Sequence, residues 1–365
     1  MEEYYLMWLS RLLLHQGNKA RSLLQYFGSA EEIWKAKAGN LRECPFLTPK
    51  LLQAILNNQE EEKLDGWIAE LEEKAISFYS YYHPEFPSLL GEIYNPPLGI
   101  YVRGKLPEDE IDKVGVIGAR RCSQYGASVA YHITKDLGRT NVIVVSGMAR
   151  GIDSMAHKGI MDGNGKTIAV LGCGADVCYP AENRELMERI IDNGCVLTEY
   201  PPGTPAVSYH FPHRNRIISG LCKMIVVVEA GKKSGTLITA DLALENGRDV
   251  FVVPGNVTSP LSVGTNNLLK QGCPAITESG DILFELGISY NKGERESYKK
   301  KIAENLSSEE KAVYGLIGET KPICAEEINH KLPQYTMQEV QYMLSLLEIS
   351  GHIRKLRQAG YIREV

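Results

Sequence analysis

The sequence predicts an α/β protein built on a doubly wound, mainly parallel sheet, preceded and followed by smaller helical modules. Three observations carry that prediction. Between residues 114 and 253, short β-branched runs alternate with amphipathic runs of helical period. Before residue 76, leucines recur at helical spacing. After residue 306, three helix-length runs precede two short strand-like runs. A chain of 365 residues with 44% apolar residues has material for two or three domains. The expected boundaries are 1–75, 76–287, a linker at 288–305, and 306–365.

In the first module, Leu6, Leu9, Leu12 and Leu13 mark a helix and His15 to Asn18 a turn. Lys19 to Phe27 forms a second helix, stopped by Gly28-Ser29. Ser29 then caps a third, with Glu31 and Glu32 in its first turn. A weaker pair follows: Leu41 to Phe46, then Leu51 to Leu56 after Thr48-Pro49. The pattern resembles a helix-hairpin-helix or SAM-like module. Its second hairpin lacks the glycines that phosphate contacts need, so packing or protein contact is its expected role. Residues 76–110 form an arm rich in tyrosine and proline, ending in an edge strand at Gly99 to Val102.

The central sheet is expected from strands at Val114–Ile117, Val142–Val145, Thr167–Leu171, Val196–Leu197, Met224–Val228 and Val250–Val253. The intervening helices are Tyr125–Leu137, Asp153–Met161, Glu182–Ile190, Leu237–Glu245 and Asn266–Gln271. The segment His210 to Gly220 reads as a charged cluster running into a Ser219-Gly220 turn. In the last module, Ser307 caps a helix reaching Ile317, and Ala325–Leu332 and Met337–Ile349 are two more. Strands Ile353–Leu356 and Tyr361–Val365 flank a turn at Gln358 to Gly360, which completes a winged-helix pattern. The third helix carries Gln338, Glu339, Gln341 and Glu348 but no cation. Protein contact is therefore expected of it ahead of DNA.

Several function classes are excluded by pattern. Gly163-Asn164-Gly165-Lys166-Thr167 has Ile160 where a phosphate-binding loop needs its first glycine, and it leads into a strand rather than a helix. The turns at Gly115 to Arg120 and Gly172 to Gly174 lack the dinucleotide glycine spacing. No cofactor is expected. His210 and His213 have no cysteine or carboxylate at ligand spacing, so no metal is expected. Eight scattered cysteines without CxxC, no leader-like start and no long apolar run point to a cytoplasmic protein. The net charge of −5 means that any polyanion must meet a local patch.

What remains is a set of small-residue loops at strand ends. They contain Gly118, Arg120 and Ser123; Ser146, Gly147 and Arg150; Gly172 to Asp176; and Ser234, Gly235 and Thr236. Backbone N–H groups and helix N-termini there favour anions. Lys166, Arg214, Asn215 and Arg216 add charge and hydrogen-bonding capacity. The candidate catalytic groups are Asp153, His157, Glu199 and Glu229: Asp153 is expected as a helix cap, His157 one turn on as a core histidine, and Glu199 and Glu229 as the carboxylates nearest the site. No nucleophile–base pair accompanies them, so binding without chemistry is expected. The alternative is a nucleoside-monophosphate glycosidase of the lysine-decarboxylase-like type, with Glu199 or Glu229 over the sugar.

These stretches resemble the bacterial DNA-processing protein A (DprA/Smf) family. The matching motifs are Gly118-Ala119-Arg120 with Ser123 and Tyr125-Gly126, SGMARGIDSMAH from Ser146, KTIAVLGCGADVCYP from Lys166, FPHRNRIISGL from Phe211, SGTLITA from Ser234 and GRDVFVVPG from Gly247. The resemblance spans about residues 80 to 285. It implies an extended Rossmann-like domain that binds single-stranded DNA without sequence preference and forms a homodimer. It further implies loading of the recombinase RecA in natural transformation, and no enzymatic activity. One departure is Ala181, where family members often carry lysine; Arg184 is a candidate replacement.

Overall fold

The computed structural model describes residues 2–288, 306–318, 322–350, 352–356 and 360–363. The expected linker, from residue 289 onward, and the Gln358-Ala359 turn lie outside the described residues. Two compact units divide the chain, Met1–Ser279 and Gly280–Val365.

The first unit opens with helices α1 (Glu2–Leu12), α2 (Gly17–Phe27), α3 (Ala30–Lys35), α4 (Ala38–Glu43), α5 (Pro49–Leu56) and α6 (Glu61–Glu73). Their starts follow capping chemistry. The Ser29 hydroxyl accepts from Glu32 N, and Thr48 caps α5 with Pro49 in the first turn. Glu2 adds a tertiary cap by accepting from Ala30 N at 2.7 Å. Next come β1 (Ile76–Ser80), α7 (Ser88–Gly91) and β2 (Gly99–Gly104), followed by β3 (Lys113–Ile117), α8 (Gln124–Leu137), β4 (Ile143–Ser146), α9 (Ile152–Asp162) and β5 (Thr167–Val170). The series continues through α10 (Arg184–Asn193), β6 (Cys195–Thr198), α11 (His210–Leu221), β7 (Met224–Val227), α12 (Gly235–Glu245), β8 (Asp249–Val252) and α13 (Val263–Lys270), and α14 (Ser279–Glu285) starts at the last residue of this unit and belongs otherwise to the second.

The eight-stranded sheet runs β1-β2-β6-β5-β4-β3-β7-β8. Strands β3 to β8 are mutually parallel, and β1 and β2 add an antiparallel edge. This is the doubly wound, mainly parallel architecture that the sequence predicts. Alternate strand residues divide the sheet between two layers, because successive side chains point to opposite faces. Ile143, Val145, Ile168, Val170, Ile225 and Val227 pack with Ile217, Ile218 and Leu221 of α11 and Ala240 and Ala243 of α12. Helices α8, α9 and α10 form a second packed layer. Each buried Ile or Val contributes about 1.5–3 kcal/mol of transfer free energy.

Two elements differ from the sequence reading. The arm contains its own strand, β1, so β2 is not the edge; it lies between β1 and β6. The stretch from His210 is not a charged cluster ending in a turn. It is a continuous helix, and Ser219 and Gly220 lie inside it.

The second unit holds α15 (Ser308–Leu316), α16 (Ala325–Lys331), α17 (Met337–Ile349) and the antiparallel pair β9 (Ile353–Leu356) and β10 (Gly360–Arg363). Val313, Ile328, Val340, Leu344, Leu347 and Ile353 form its core. Capping boxes at Ser307/Glu310 and Thr336/Glu339 start α15 and α17. Ile323 makes an isolated antiparallel bridge to Tyr361.

Candidate functional site

Parallel strands place every following helix N-terminus at one edge of the sheet. At that edge the chain leaves β3 and β7 for opposite layers, which opens a crevice. A cleft of about 630 Å³ occupies it. Its walls are the loop after β3 (Gly118 to Arg121), Ala149 and Asp153 after β4, Gly231 and Ser234 to Thr236 after β7, and Phe211, Arg214 and Asn215 of α11. The Ser234 hydroxyl caps α12 by accepting from Thr236 N at 3.2 Å. Gly235 is exposed and a Cβ on it would meet nothing, so this helix start lies open.

Arg120 is exposed, and its guanidinium lies 5.0 Å from the centre of the Phe211 ring. Phe211 in turn contacts Tyr179, with ring centres 5.3 Å apart. A smaller recess continues from the cleft past Gly147, Arg150 and Pro180, and Arg120, Tyr179 and Phe211 line both. The cleft therefore joins exposed positive charge, flat aromatic surface and helix-start amides. Chemically, that combination is suited to holding phosphates and stacking bases.

Arg214 has a different role from the one its sequence position suggests. It is 5% exposed. Its Nη1 donates to Gly147 O at 2.8 Å and also to Val170 O, and its Nε donates to Asn215 Oδ1 at 3.2 Å. Burial pushes it down to about 10, while nearby Asp153 acts in the opposite direction, so it stays cationic at neutral pH. Arg214 is the buried beam of the cleft floor, tying α11 to the ends of β4 and β5. Gly147 is glycine for the same reason, since a Cβ there would overlap the Arg214 guanidinium. Gly118 likewise admits Ile152 of α9.

Of the residues singled out in the sequence, Gly118, Arg120, Arg214, Asn215, Ser234, Gly235 and Thr236 meet at the cleft. Gly147 and Arg150 line the adjoining recess, and Arg150 pairs with Glu182. The other four lie elsewhere. Ser146 is fully buried, and its hydroxyl donates to Val116 O at 2.6 Å, fastening β4 to β3. Ser123 caps α8 by accepting from Gly126 N and turns its hydroxyl onto Glu229. Lys166 immediately precedes β5, at the end of the sheet opposite the cleft. Arg216 is 9% exposed and pairs with Glu199 at 2.5 Å. Arg184, the proposed stand-in for a family lysine, is exposed at the start of α10 and does not line the cleft.

The carboxylates are similarly committed. Glu229 accepts from Ser123 N at 2.9 Å and from its hydroxyl, and is 3% exposed. Glu199 is held by Arg216 and His15; burial raises its carboxyl, but these partners outweigh that and keep it below its ordinary range. Asp153 is not the cap of α9, a position taken by Gly151. It lines the cleft floor, and burial raises its carboxyl despite Arg214 nearby. His157 is fully buried with Nδ1 2.7 Å from the Thr167 hydroxyl, and burial lowers it to about 3.

Residues 77–287 match the family model described as DNA recombination-mediator protein A. The chain belongs to the DNA recombination-mediator protein A family. Among its relatives, the DNA processing protein DprA of Streptococcus pneumoniae is 42% identical over 200 residues, which are 55% of this chain and 71% of the relative. The X-ray structure of DprA from that species superposes with a TM-score of 0.67 at 32% identity, covering 79% of this chain and 99% of the other. A Helicobacter pylori DprA structure, described for its single-stranded DNA binding mode, superposes with a TM-score of 0.52 at 27% identity. It covers 58% of this chain and 95% of that one.

For this member of the recombination-mediator family, the cleft holds residues that sequence reasoning passed over. Arg121, Tyr179 and Phe211 line it. Lys232 and Lys233 are exposed in the loop between Gly231 and Ser234. The signal for the cations was their place directly beside loops already singled out. Tyr179 and Phe211 each fall inside a quoted motif, but nothing local pairs them: they are far apart in sequence and meet only through the fold.

Proposed function

We propose that the chain is a non-enzymatic, sequence-nonspecific single-stranded DNA binder that holds the strand along this cleft and presents it to a RecA-type recombinase. The observation that carries this reading is the cleft itself: exposed Arg120 and Arg121, the Tyr179–Phe211 aromatic surface and the open start of α12 face one crevice. Phosphates are held at Arg120, Arg121 and the Ser234–Thr236 helix start, and bases stack on the rings. The likeness to a Helicobacter pylori protein described as binding single-stranded DNA supports it. Arg214 and Asn215 shape the cleft from beneath. The glycosidase alternative is disfavoured because Glu199 and Glu229 are buried and spent on internal partners. A homodimer through the sheet domain, a cytoplasmic setting and a winged-helix end that meets protein rather than DNA complete the proposal.

Fluorescence anisotropy with labelled oligothymidylate and a duplex of equal length tests it, using the full chain and a chain ending at residue 305. The single strand should bind preferentially to both. A preference for the duplex, or loss of binding on truncation, would move the function away from the cleft.

A further inference from the structure

The crevice between β3 and β7 has two flanks, and their charge is not alike. On the flank toward β4 and β5 the cations are neutralised: Arg150 pairs with Glu182, and Lys74 reaches Asp176 at 2.7 Å. On the flank toward β7 and β8 they are not. The loops after β3 (118–123), β7 (230–234) and β8 (254–259) contain Arg120, Arg121, Lys232 and Lys233 and no Asp or Glu, although the chain has 45 acidic residues against 40 basic ones. All four cations are exposed, and none has an ion pair among the described residues. Glu229, the carboxylate closest to Lys232 in sequence, is buried and accepts from Ser123.

These loops form one fixed surface. Ser123 N donates to Glu229 at 2.9 Å, tying the loop after β3 to the end of β7. Gly264 N donates to Ala230 O at 2.8 Å, tying the loop after β7 to the start of α13. Gly231 approaches the loop after β8 so closely that a Cβ on it would lie 3.5 Å from Pro260 O. The Tyr125 hydroxyl donates to Pro254 O at 2.9 Å, which pins a half-exposed ring beside that loop. Gly231 and Arg121 also line the cleft, so the surface continues from it without a break.

We propose that the single strand leaves the cleft over this flank: Lys232 and Lys233 take phosphates beyond those held in the cleft, and a base stacks on Tyr125. The proposal rests on the single-stranded DNA reading and adds the path of the strand to it. A phosphate gains more from an unpaired cation than from one whose charge a carboxylate already offsets, so a polyanion leaving the crevice follows the unneutralised side. Lysines are point charges on flexible stems, suited to a strand of any sequence. A tyrosine face likewise stacks any base. The footprint is therefore longer than the cleft, and affinity rises with oligonucleotide length until the strand covers this flank.

The test titrates oligothymidylates of about 4 and about 16 nucleotides, the span of site sizes among single-strand grooves. Anisotropy compares full-length wild type, Lys232→Gln/Lys233→Gln, Tyr125→Ala and Tyr125→Phe. The double variant should bind the long oligomer about tenfold more weakly, with a salt slope shallower by about 1.4, the share of two phosphates. Tyr125→Ala should bind it about fivefold more weakly at an unchanged slope, and Tyr125→Phe, which keeps the ring, like wild type. The short oligomer should bind all these proteins alike. Lysine acetylation read by mass spectrometry should spare Lys232 and Lys233 under the long oligomer and not under the short one. A double variant unaltered toward the long oligomer, or weakened equally toward both, would overturn the proposal. Tyr125→Phe as weak as Tyr125→Ala would overturn the stacking contact and leave the tyrosine its tie to Pro254. If wild type binds neither length, the single-strand reading itself falls and takes this path with it.

Discussion

At the residue scale, exposure separates two kinds of arginine that look alike in sequence. Arg120 is exposed beside Phe211, whereas Arg214 is buried against Gly147 O and Val170 O. Arg120→Glu should abolish most oligothymidylate binding while leaving the denaturation midpoint unchanged. Arg214→Ala should instead cost about 3 kcal/mol of stability, because it strands two carbonyls and leaves buried Asp153 without its cation. Chemical denaturation of both variants reads the difference; equal stability losses would contradict the assignment. The types of these residues are legible in the motifs, but their roles are not. Arg214, Asn215 and Arg216 are consecutive, yet a helix points neighbours in different directions, and only packing decides which meets solvent. His157 gives a pH prediction with a definite sign. Its folded value of about 3 lies below the ordinary 6.5, so between those values the unfolded chain binds the extra proton. Stability contributed by the neutral ring is full above that window and falls on acidification by about 1.4 kcal/mol per pH unit. The stability difference between wild type and His157→Gln should shrink with that slope; a constant difference would contradict a neutral buried imidazole.

At the element scale, the parallel strands are easy to read and α11 is not. Val114–Ile117 and Met224–Val228 are β-branched runs buried on both faces, a pattern that few helices share. Helix α11 carries Pro212 in its first turn, where a missing N–H does no harm, and Ser219-Gly220 near its end, which imitates a turn. Its buried residues include Arg214 and Arg216, so no apolar stripe announces it. Gly220 is there because Leu90 and Ile93 press against it. Strand β1 escapes for a related reason: its exposed Ser77 and half-buried tyrosine blur the alternation. The open start of α12 is the element that the proposed function sets directly against the ligand. Ser234→Ala removes its cap and should cost about 1 kcal/mol of stability. It should also weaken oligothymidylate binding modestly. Unaltered affinity at low salt would place the phosphates away from this helix.

At the scale of the whole molecule, the helical start is lashed to the sheet rather than appended to it. Glu3 accepts from Ser80 N at 2.6 Å and from its hydroxyl at 2.8 Å, joining α1 to β1. Lys74 reaches both Glu70 and Asp176 at 2.7 Å, joining the end of α6 to the loop after β5. With His15 and Glu199, these ties bring two regions that composition alone separates into one compact unit. A net charge of −5 makes the cleft a local positive feature on an acidic protein, so its hold on a polyanion is a matter of a few named contacts. Counting those contacts by salt titration is the most direct test of the central claim. Oligothymidylate affinity should fall linearly on a log–log plot, with a slope of about −0.7 for each phosphate contacted, and Arg120→Glu should flatten it by at least one such increment. An affinity that does not change with salt, or a slope that Arg120→Glu leaves untouched, would contradict the account.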